Sequence, residues 1–427
     1  MRQEGSATAG PSRERRYRRV VDLQIRTIDA SEIGDWVVCM GVGFLRPRSE
    51  EFAEYLLGEI DLDRTWGAFD SGQVVGTLRS FGTRLTVPGP AEQNASALTN
   101  VTVAPTHRRQ GLMTDMIIAD LDSSAERGES FGILIASEYP IYGRFGFGAA
   151  IESATYTVDA RAAQFRLPET GRIELTDHST IRKEAPALYD CFRSGQPGSI
   201  ERSNRLWNRI LHEEEVPGAE PPKGYCALYR SDSGDLEGYL LYRAEPKWDG
   251  MGRAQGTLTV DELVSVTPAA YRRLWQFCCG VDLVTTVQAA DRPVVEPLGW
   301  LLYDGRAVCQ SARFDFVWVR ILDVCAALSA RHYLVEGRVV MEVKDELGFA
   351  TGRYVLEGGP DGASCTRTSE SAELSLPVDA VGSVFLGGMP LRCLAEAGRV
   401  DEHRHSALDR ADLMFRSAII PWCSTWF

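Results

Sequence analysis

Apolar positions alternate with polar ones at Val21, Leu23 and Ile25, the period of a half-buried strand. Asp29 and Ser31 then announce a helix, and Ser49 is placed to cap a second one running to Leu57. Two β-rich runs, Thr65 to Phe69 and Val74 to Leu78, flank Asp70-Ser71-Gly72-Gln73, which predicts a hairpin. A further strand is expected over Leu98 to Val103, a helix over Arg109 to Arg127, and a short apolar strand over Phe131 to Ala136. The predicted order is strand, two helices, three strands, helix, strand.

The middle of the chain repeats part of this order. Cys226 to Tyr229 and Gly238 to Tyr242 flank the turn Ser231 to Asp235, and apolar runs at Leu258 to Val260 and Leu263 to Val266 follow. A helix then opens at Thr267-Pro268, with Thr267 as its cap and Pro268 at the first helical position. Set beside Val101 to Arg109, this reads as a diverged internal duplication whose second copy has Leu274-Trp275 where the first has a glycine. Those two side chains are expected to obstruct a backbone cradle. From about Ala312 the pattern changes to an α+β unit. It has a strand over Phe316 to Leu322, a helix over Asp323 to Ala330, strands at Val335 to Val343, Gly352 to Leu356 and Ala372 to Leu376, and helices at Val378 to Leu386 and Ala407 to Phe415. The expected organisation is an Arg-rich frayed tail over 1–19 and three units over 20–156, 157–311 and 312–427, mixed α/β and α+β in class.

Composition narrows the function. With 44% apolar and 25% charged residues, the 427-residue chain can bury several cores. Its formal charge of −13 argues against nucleic acid as a partner and for cationic small molecules. The 10 cysteines contain no C-x-x-C pair, which fits thiols in a reducing cytoplasm better than zinc or disulfides. No apolar run is long enough for a membrane span, and no signal-type segment follows the basic start. No metal is expected; His403-Arg404-His405 reads as a solvated turn. Cys278-Cys279 and the aromatics Trp36, Phe44, Phe52 and Tyr55 read as packing residues.

The segment Val101-Thr102-Val103-Ala104-Pro105-Thr106-His107-Arg108-Arg109-Gln110-Gly111-Leu112-Met113-Thr114 carries the strongest chemical signal. A strand, a proline turn, paired arginines, a glycine and a helix in that order aim free backbone N–H groups and a positive helix end at one point. That arrangement suits a pyrophosphate.

This segment resembles the acyl-CoA motif of the Gcn5-related N-acetyltransferases (GNAT). Downstream, Tyr142-Gly143-Arg144-Phe145-Gly146-Phe147-Gly148 resembles the signature of the Eis family within that superfamily. The resemblance implies two tandem GNAT-like domains, the second degenerate, followed by a domain like sterol carrier proteins. It implies a homohexamer that acetylates several amines of aminoglycosides from acetyl-CoA. Val101, Thr102 and Val103 would then hold the pantetheine and the acetyl carbonyl. Arg109, Gln110, Gly111, Leu112, Met113 and Thr114 would hold the pyrophosphate, and Ser137 and Glu138 would line the CoA arm. Tyr142 matches the family's proton donor and the carboxylate of Phe427 its proton acceptor. Trp426 stands where some members carry an acid that binds a cationic substrate.

The residue types suit the chemistry without the resemblance. Attack of an amine on a thioester needs an acceptor for the ammonium proton and an acid for the departing thiolate. Tyr142, in a Gly-rich turn after a strand, is the better placed of two tyrosines; Tyr139 is the other. A tail ending in Trp422, Trp426 and Phe427 is too apolar to dangle, so burial of these rings is expected to hold it. Two other functions fit the same pattern: a lysine acetyltransferase acting on proteins or peptides, and a lipid-binding protein with a vestigial acetyltransferase domain.

Overall fold

Backbone pairing ties together segments far apart in the chain. The computed structural model describes residues 23–89, 91–212 and 224–427, so the Arg-rich tail and Val21 lie outside the described residues. The first sheet runs, in spatial order, Leu23–Thr27, Thr65–Asp70, Gln73–Val87, Ala91–Val103, Phe131–Ile135, Val317–Ile321, Gly148–Ala149. The second runs Val308–Asp315, Glu152–Asp159, Val284–Pro293, Gly256–Ser265, Leu236–Glu245, Tyr225–Arg230, Arg172–Thr176. A third, smaller sheet runs Gly362–Arg367, Gly352–Gly359, Gly337–Lys344, Leu374–Pro377, Asp401–Glu402.

Both expected unit boundaries are therefore displaced. A cut at 156 divides the strand Glu152–Asp159, which pairs with Val284–Pro293 in the second sheet. A cut at 312 divides Val308–Asp315, which pairs on the other side of the same strand. Most consequential is Val317–Ile321. Its apolar run is real, but it completes the first sheet by pairing antiparallel with Phe131–Ile135, from Val317 opposite Ile135 to Ile321 opposite Phe131. All five of its residues are buried, as a central strand covered on both faces requires.

The third unit docks on this returning strand. Its helix Val378–Phe385 comes so close that a Cβ at Gly382 would overlap the carbonyl of Val319, so only glycine fits there. Phe131, Ile133, Val317 and Val319 share one apolar core with Val339, Met341, Leu356, Leu374 and Phe385 of the third unit. Across this contact Arg320, fully buried, donates to both carboxylate oxygens of Asp345 at 2.9 and 2.7 Å.

Many local predictions hold. Ser49 accepts from the Phe52 N–H, Thr267 from Ala270 and Asp323 from Ala326, each capping its expected helix. One helix start moves: the helix after the motif spans Leu112–Glu126, because Arg109 (φ +64°) and Gly111 (φ +90°) are left-handed and cannot be helical. The second copy differs in a way the sequence did not suggest. Only Val266 and Thr267 separate the strand Gly256–Ser265 from the helix Pro268–Gly280, whereas residues 104–111 form a loop at the same point of the first copy. Leu274 and Trp275 are packed into the core of the second unit and obstruct nothing. The second copy has no cradle because it has no cradle loop.

Replacing Asp345 by alanine leaves the Arg320 guanidinium buried without its carboxylate and is expected to cost about 3–5 kcal/mol of stability. The double variant Arg320→Met/Asp345→Leu is expected to recover most of that loss, measured by urea denaturation of each protein.

Candidate active site

The site forms where the first sheet opens. Ala91–Val103 pairs in parallel with Phe131–Ile135 only from Ala95 opposite Phe131 to Leu98 opposite Leu134. Beyond Leu98 it keeps its antiparallel partner Gln73–Val87, but that ladder slips between Thr77 and Arg79. Asn100 takes up the extra residue in a left-handed conformation (φ +55°), and its carbonyl accepts the Thr77 hydroxyl at 2.8 Å. A bulge of this kind bends and twists its strand. Val101, Thr102 and Val103 consequently run along an edge that Phe131–Ile135 no longer covers. No pattern of apolar residues marks Asn100; an asparagine in a strand, tolerant of positive φ, is its only sequence signal.

The strand delivers the chain to the cradle. Ala104 donates to the Val75 carbonyl at 2.8 Å, a single helical turn over Pro105–His107 follows, and His107 Nε2 lies 3.0 Å from Asp70. Two left-handed residues then aim the first turn of Leu112–Glu126 outward. The N–H groups of Leu112, Met113 and Thr114 open that helix, where no preceding turn supplies carbonyls. Arg108, Arg109, Gln110 and Gly111 are exposed around the helix end. A Cβ on Gly111 would meet nothing closer than the Asp115 carboxylate at 3.9 Å, so the space before it is open. Bare N–H groups, a positive helix end and arginines beside an open hollow fit the pyrophosphate of acetyl-CoA.

Ser137 and Glu138 follow directly after Phe131–Ile135, both exposed across the opening. Glu138 begins the short helix Tyr139–Tyr142, which separates the two tyrosines. Tyr139 is exposed, its ring edge-on to Trp318 at 4.9 Å. Tyr142 is buried beside Phe147 in the core that the cradle helix makes with Leu98, Leu134 and Trp318. The ring is buried, while the hydroxyl oxygen makes no hydrogen bond to a described residue and stays accessible. Burial first, then the nearby charge of Glu138, pushes Tyr142 up to about 12. The proton is therefore held firmly at neutral pH.

Phe427 reaches the sheet from the opposite face. Leu78 joins the cradle-helix core and Ser80 bonds Asp120 of that helix, so Phe81 points the other way, and its ring meets Phe427 edge-on at 6.0 Å. The helices Ile33–Gly43 and Glu50–Leu57 lie on this same face, with Trp36 and Phe52 in their core as expected and Phe44 partly exposed. Gly43 sits so close to Thr102 that a Cβ would overlap its side chain, so Thr102 packs against the first helix. Tyr142 and Phe427 thus lie on opposite faces of the sheet.

The tail is held differently from the expectation. Trp422 is buried, but Trp426 is 47% exposed and Phe427 only half-buried. Polar contacts supply the rest. Trp426 donates its indole N–H to the Asp291 carboxylate at 2.8 Å and so anchors the tail through its polar edge. Thr425 accepts from Arg202 Nε at 2.9 Å and lies 3.2 Å from the Tyr189 hydroxyl, while Arg202 also pairs with the buried Glu262. None of these second-unit anchors was singled out by the sequence. His403 shares a hydrogen bond of 2.7 Å with the Ser375 hydroxyl, and among the described residues no group of three or more His, Cys, Asp or Glu is gathered for a metal. All ten cysteines are unpaired, and no helix of the described residues is long and apolar enough to cross a membrane.

Comparison with known proteins agrees with this geometry. Residues 24–150 and 198–321 each match the acetyltransferase (GNAT) domain and residues 324–424 the sterol carrier protein domain. An uncharacterized N-acetyltransferase of Streptomyces avermitilis is 40% identical over 95% of this chain and 99% of its own. The N-acetyltransferase Eis of Mycobacterium tuberculosis is 35% identical over 83% of this chain and 86% of its own. The crystal structure of Eis1 from Mycobacterium abscessus superposes with a TM-score of 0.84 at 33% identity, covering 95% of this chain and 100% of that one. A GCN5-related N-acetyltransferase from Anabaena variabilis shares the fold, with a TM-score of 0.82 at 19% identity over 95% of this chain and 100% of its own. On the opened strand, the cradle and these relatives together, the chain belongs to the Eis family of the GNAT superfamily, acyltransferases that use acetyl-CoA.

Proposed function

We propose that the protein N-acetylates primary amines of small molecules, polycationic amines such as aminoglycosides among them, by direct attack on the thioester of acetyl-CoA. One observation carries the reading: the long strand leaves its parallel partner beside a left-handed glycine and a buried tyrosine ring whose accessible hydroxyl makes no hydrogen bond to a described residue. In it, the free edge of Val101, Thr102 and Val103 receives the pantetheine arm and acetyl carbonyl. Arg109, Gln110, Gly111, Leu112, Met113 and Thr114 surround the pyrophosphate, and Ser137 and Glu138 flank the arm. The amine nitrogen forms its bond to the acetyl carbon as the carbon–sulfur bond breaks. The proton leaving nitrogen passes to the carboxylate of Phe427, and the sulfur takes one from Tyr142. Assembly as a homohexamer in the cytoplasm belongs to the same reading. The test is release of CoA thiol with polyamines, aminoglycosides and lysine peptides as acceptors, each product identified by mass spectrometry.

Gly111→Trp fills the hollow and forces a side chain into a left-handed conformation, so acetyl-CoA affinity falls at least about 100-fold and stability by about 1–2 kcal/mol. Calorimetry on the unaltered protein should give one acetyl-CoA per chain, because the second copy lacks the loop.

Tyr142→Phe should lower kcat by about 10²–10⁴-fold with acetyl-CoA affinity retained, and Tyr139→Phe should not. Because burial holds Tyr142 near 12, its ionisation begins only above that of an ordinary tyrosine. The pH–rate profile should consequently show no falling limb from this group up to about pH 10; such a limb, lost in Tyr142→Phe, would contradict the assignment.

Extension of the chain beyond Phe427 turns its carboxylate into an amide and adds bulk beside Phe81. Turnover should collapse while acetyl-CoA still binds, and normal turnover by a protein shown by mass spectrometry to keep its extension would remove Phe427 from the mechanism.

A further inference from the structure

The sheet face that carries the tail and the first two helices holds a buried guanidinium that makes no hydrogen bond or ion pair with a described residue. Arg79 lies in Gln73–Val87 between Thr65 on one neighbouring strand and Thr99 on the other, level with the point where the sheet opens. Leu78 and Ser80 face the cradle helix, so Arg79 points with Phe81 to the opposite face, where the tail packs. Its guanidinium carbon is 5.8 Å from the centroid of the Phe81 ring, the ring that also meets Phe427. Arg79 is 7% exposed, forms no hydrogen bond or ion pair with any described residue, and buries its Nε without a partner.

Its surroundings add charge of the same sign. Arg205 and Arg209, on the helix Asn204–Leu211 of the second unit, both act on Arg79, and Glu59 is the carboxylate acting in the other direction. Glu59 is already engaged, 3.4 Å from Arg205 Nε. Burial, reinforced by the two arginines, pushes the Arg79 guanidinium down to about 9, which still leaves it charged at neutral pH. A buried cation without a counter-charge is destabilising, and a planar guanidinium is the side chain best shaped to grip a carboxylate or phosphate.

We propose that Arg79, with Arg209 acting on it as a second positive charge, binds an anionic group of the acceptor, so that the preferred substrate is a small primary amine that also carries a carboxylate or a phosphate. This rests on the acetyltransferase reading but moves its preferred acceptor away from purely cationic amines such as aminoglycosides, since an amine lacking an anion leaves Arg79 unpaired. The anion would sit beside Phe81 while the amine reaches the opening between the strands.

Matched acceptors test it at saturating acetyl-CoA. Lysine and 1,5-diaminopentane differ by a carboxylate, and O-phosphoethanolamine and ethanolamine by a phosphate, so the two pairs also tell which anion is taken. In at least one pair the anionic member should have the higher kcat/KM by about tenfold or more, mainly through KM. Arg79→Met should bring that ratio to within about twofold of one, with Arg79→Lys intermediate. A ratio at or below one in both pairs for the unaltered protein overturns the proposal. So does a loss in Arg79→Met shared equally by both members of a pair, which would mean that Arg79 positions the tail. A second measurement needs no turnover: inorganic phosphate titrated calorimetrically into the full chain should bind the unaltered protein more tightly than Arg79→Met, and equal affinity overturns the proposal. Phosphate binding that depends on Arg79, in a protein that acetylates no amine, would keep the anion site and remove the acetyltransferase reading instead. Arg79→Met should fold, because it removes a buried unpaired charge. A fall in Tm of more than about 5 °C would show a structural role and overturn the proposal.

Discussion

The ladder between Phe131–Ile135 and Val317–Ile321 is the constraint on which the other features depend. It gives the first sheet its missing central strand, and it brings the third unit with it, since Val324–Ser329 follows almost at once and Val378–Phe385 rests on the same strand. Without that strand, Phe131–Ile135 would be an edge, and the core shared by the first and third sheets would lose Val317, Val319 and Ile321 together. Arg320 and Asp345 then fix which way the third unit is set on the strand, because a buried pair that forms only in one arrangement penalises every other.

The opening in the sheet is likewise a product of pairing more than of particular side chains. One strand keeps its antiparallel neighbour and loses its parallel one at Leu98, and the bulge at Asn100 absorbs the change in direction. The result is an opening between two unlike faces. On the cradle-helix face lie bare backbone N–H groups and Tyr142, and on the other face lie aromatic rings, the tail and guanidinium charge. The second unit contributes only to the latter, through Asn204–Leu211 and through the anchors of the tail at Arg202 and Asp291. That gives the degenerate copy a reason to persist without a cradle of its own.

What was legible in the sequence is what is local. The hairpin at Asp70-Ser71-Gly72, the caps Ser49 and Thr267, the helix after Asp323 and the order strand, turn, helix around Gly111 depend on neighbours a few residues away, and they were read correctly. The helix start at Leu112 was missed because a left-handed arginine leaves no compositional trace. The unit boundaries failed because Val317–Ile321 reads as a buried strand wherever it is inserted, and nothing in its residues names its partner. Arg79 was invisible for a related reason: a charge alternating with apolar residues in a strand reads as solvent-facing, and only the tertiary fold shows that this face is covered.

The returning strand also constrains how such a protein can be made and how it can evolve. A chain emerging from the ribosome presents Phe131–Ile135 long before Val317–Ile321 exists, so the nascent first sheet must wait with a bare hydrophobic edge while the whole second unit is synthesised. A message cut short anywhere in that interval yields a sheet edge open to any other strand, not a small working enzyme. For the same reason the catalytic unit cannot be passed to another protein as a cassette by recombination at its apparent borders. The three units are inherited together or the first of them does not close.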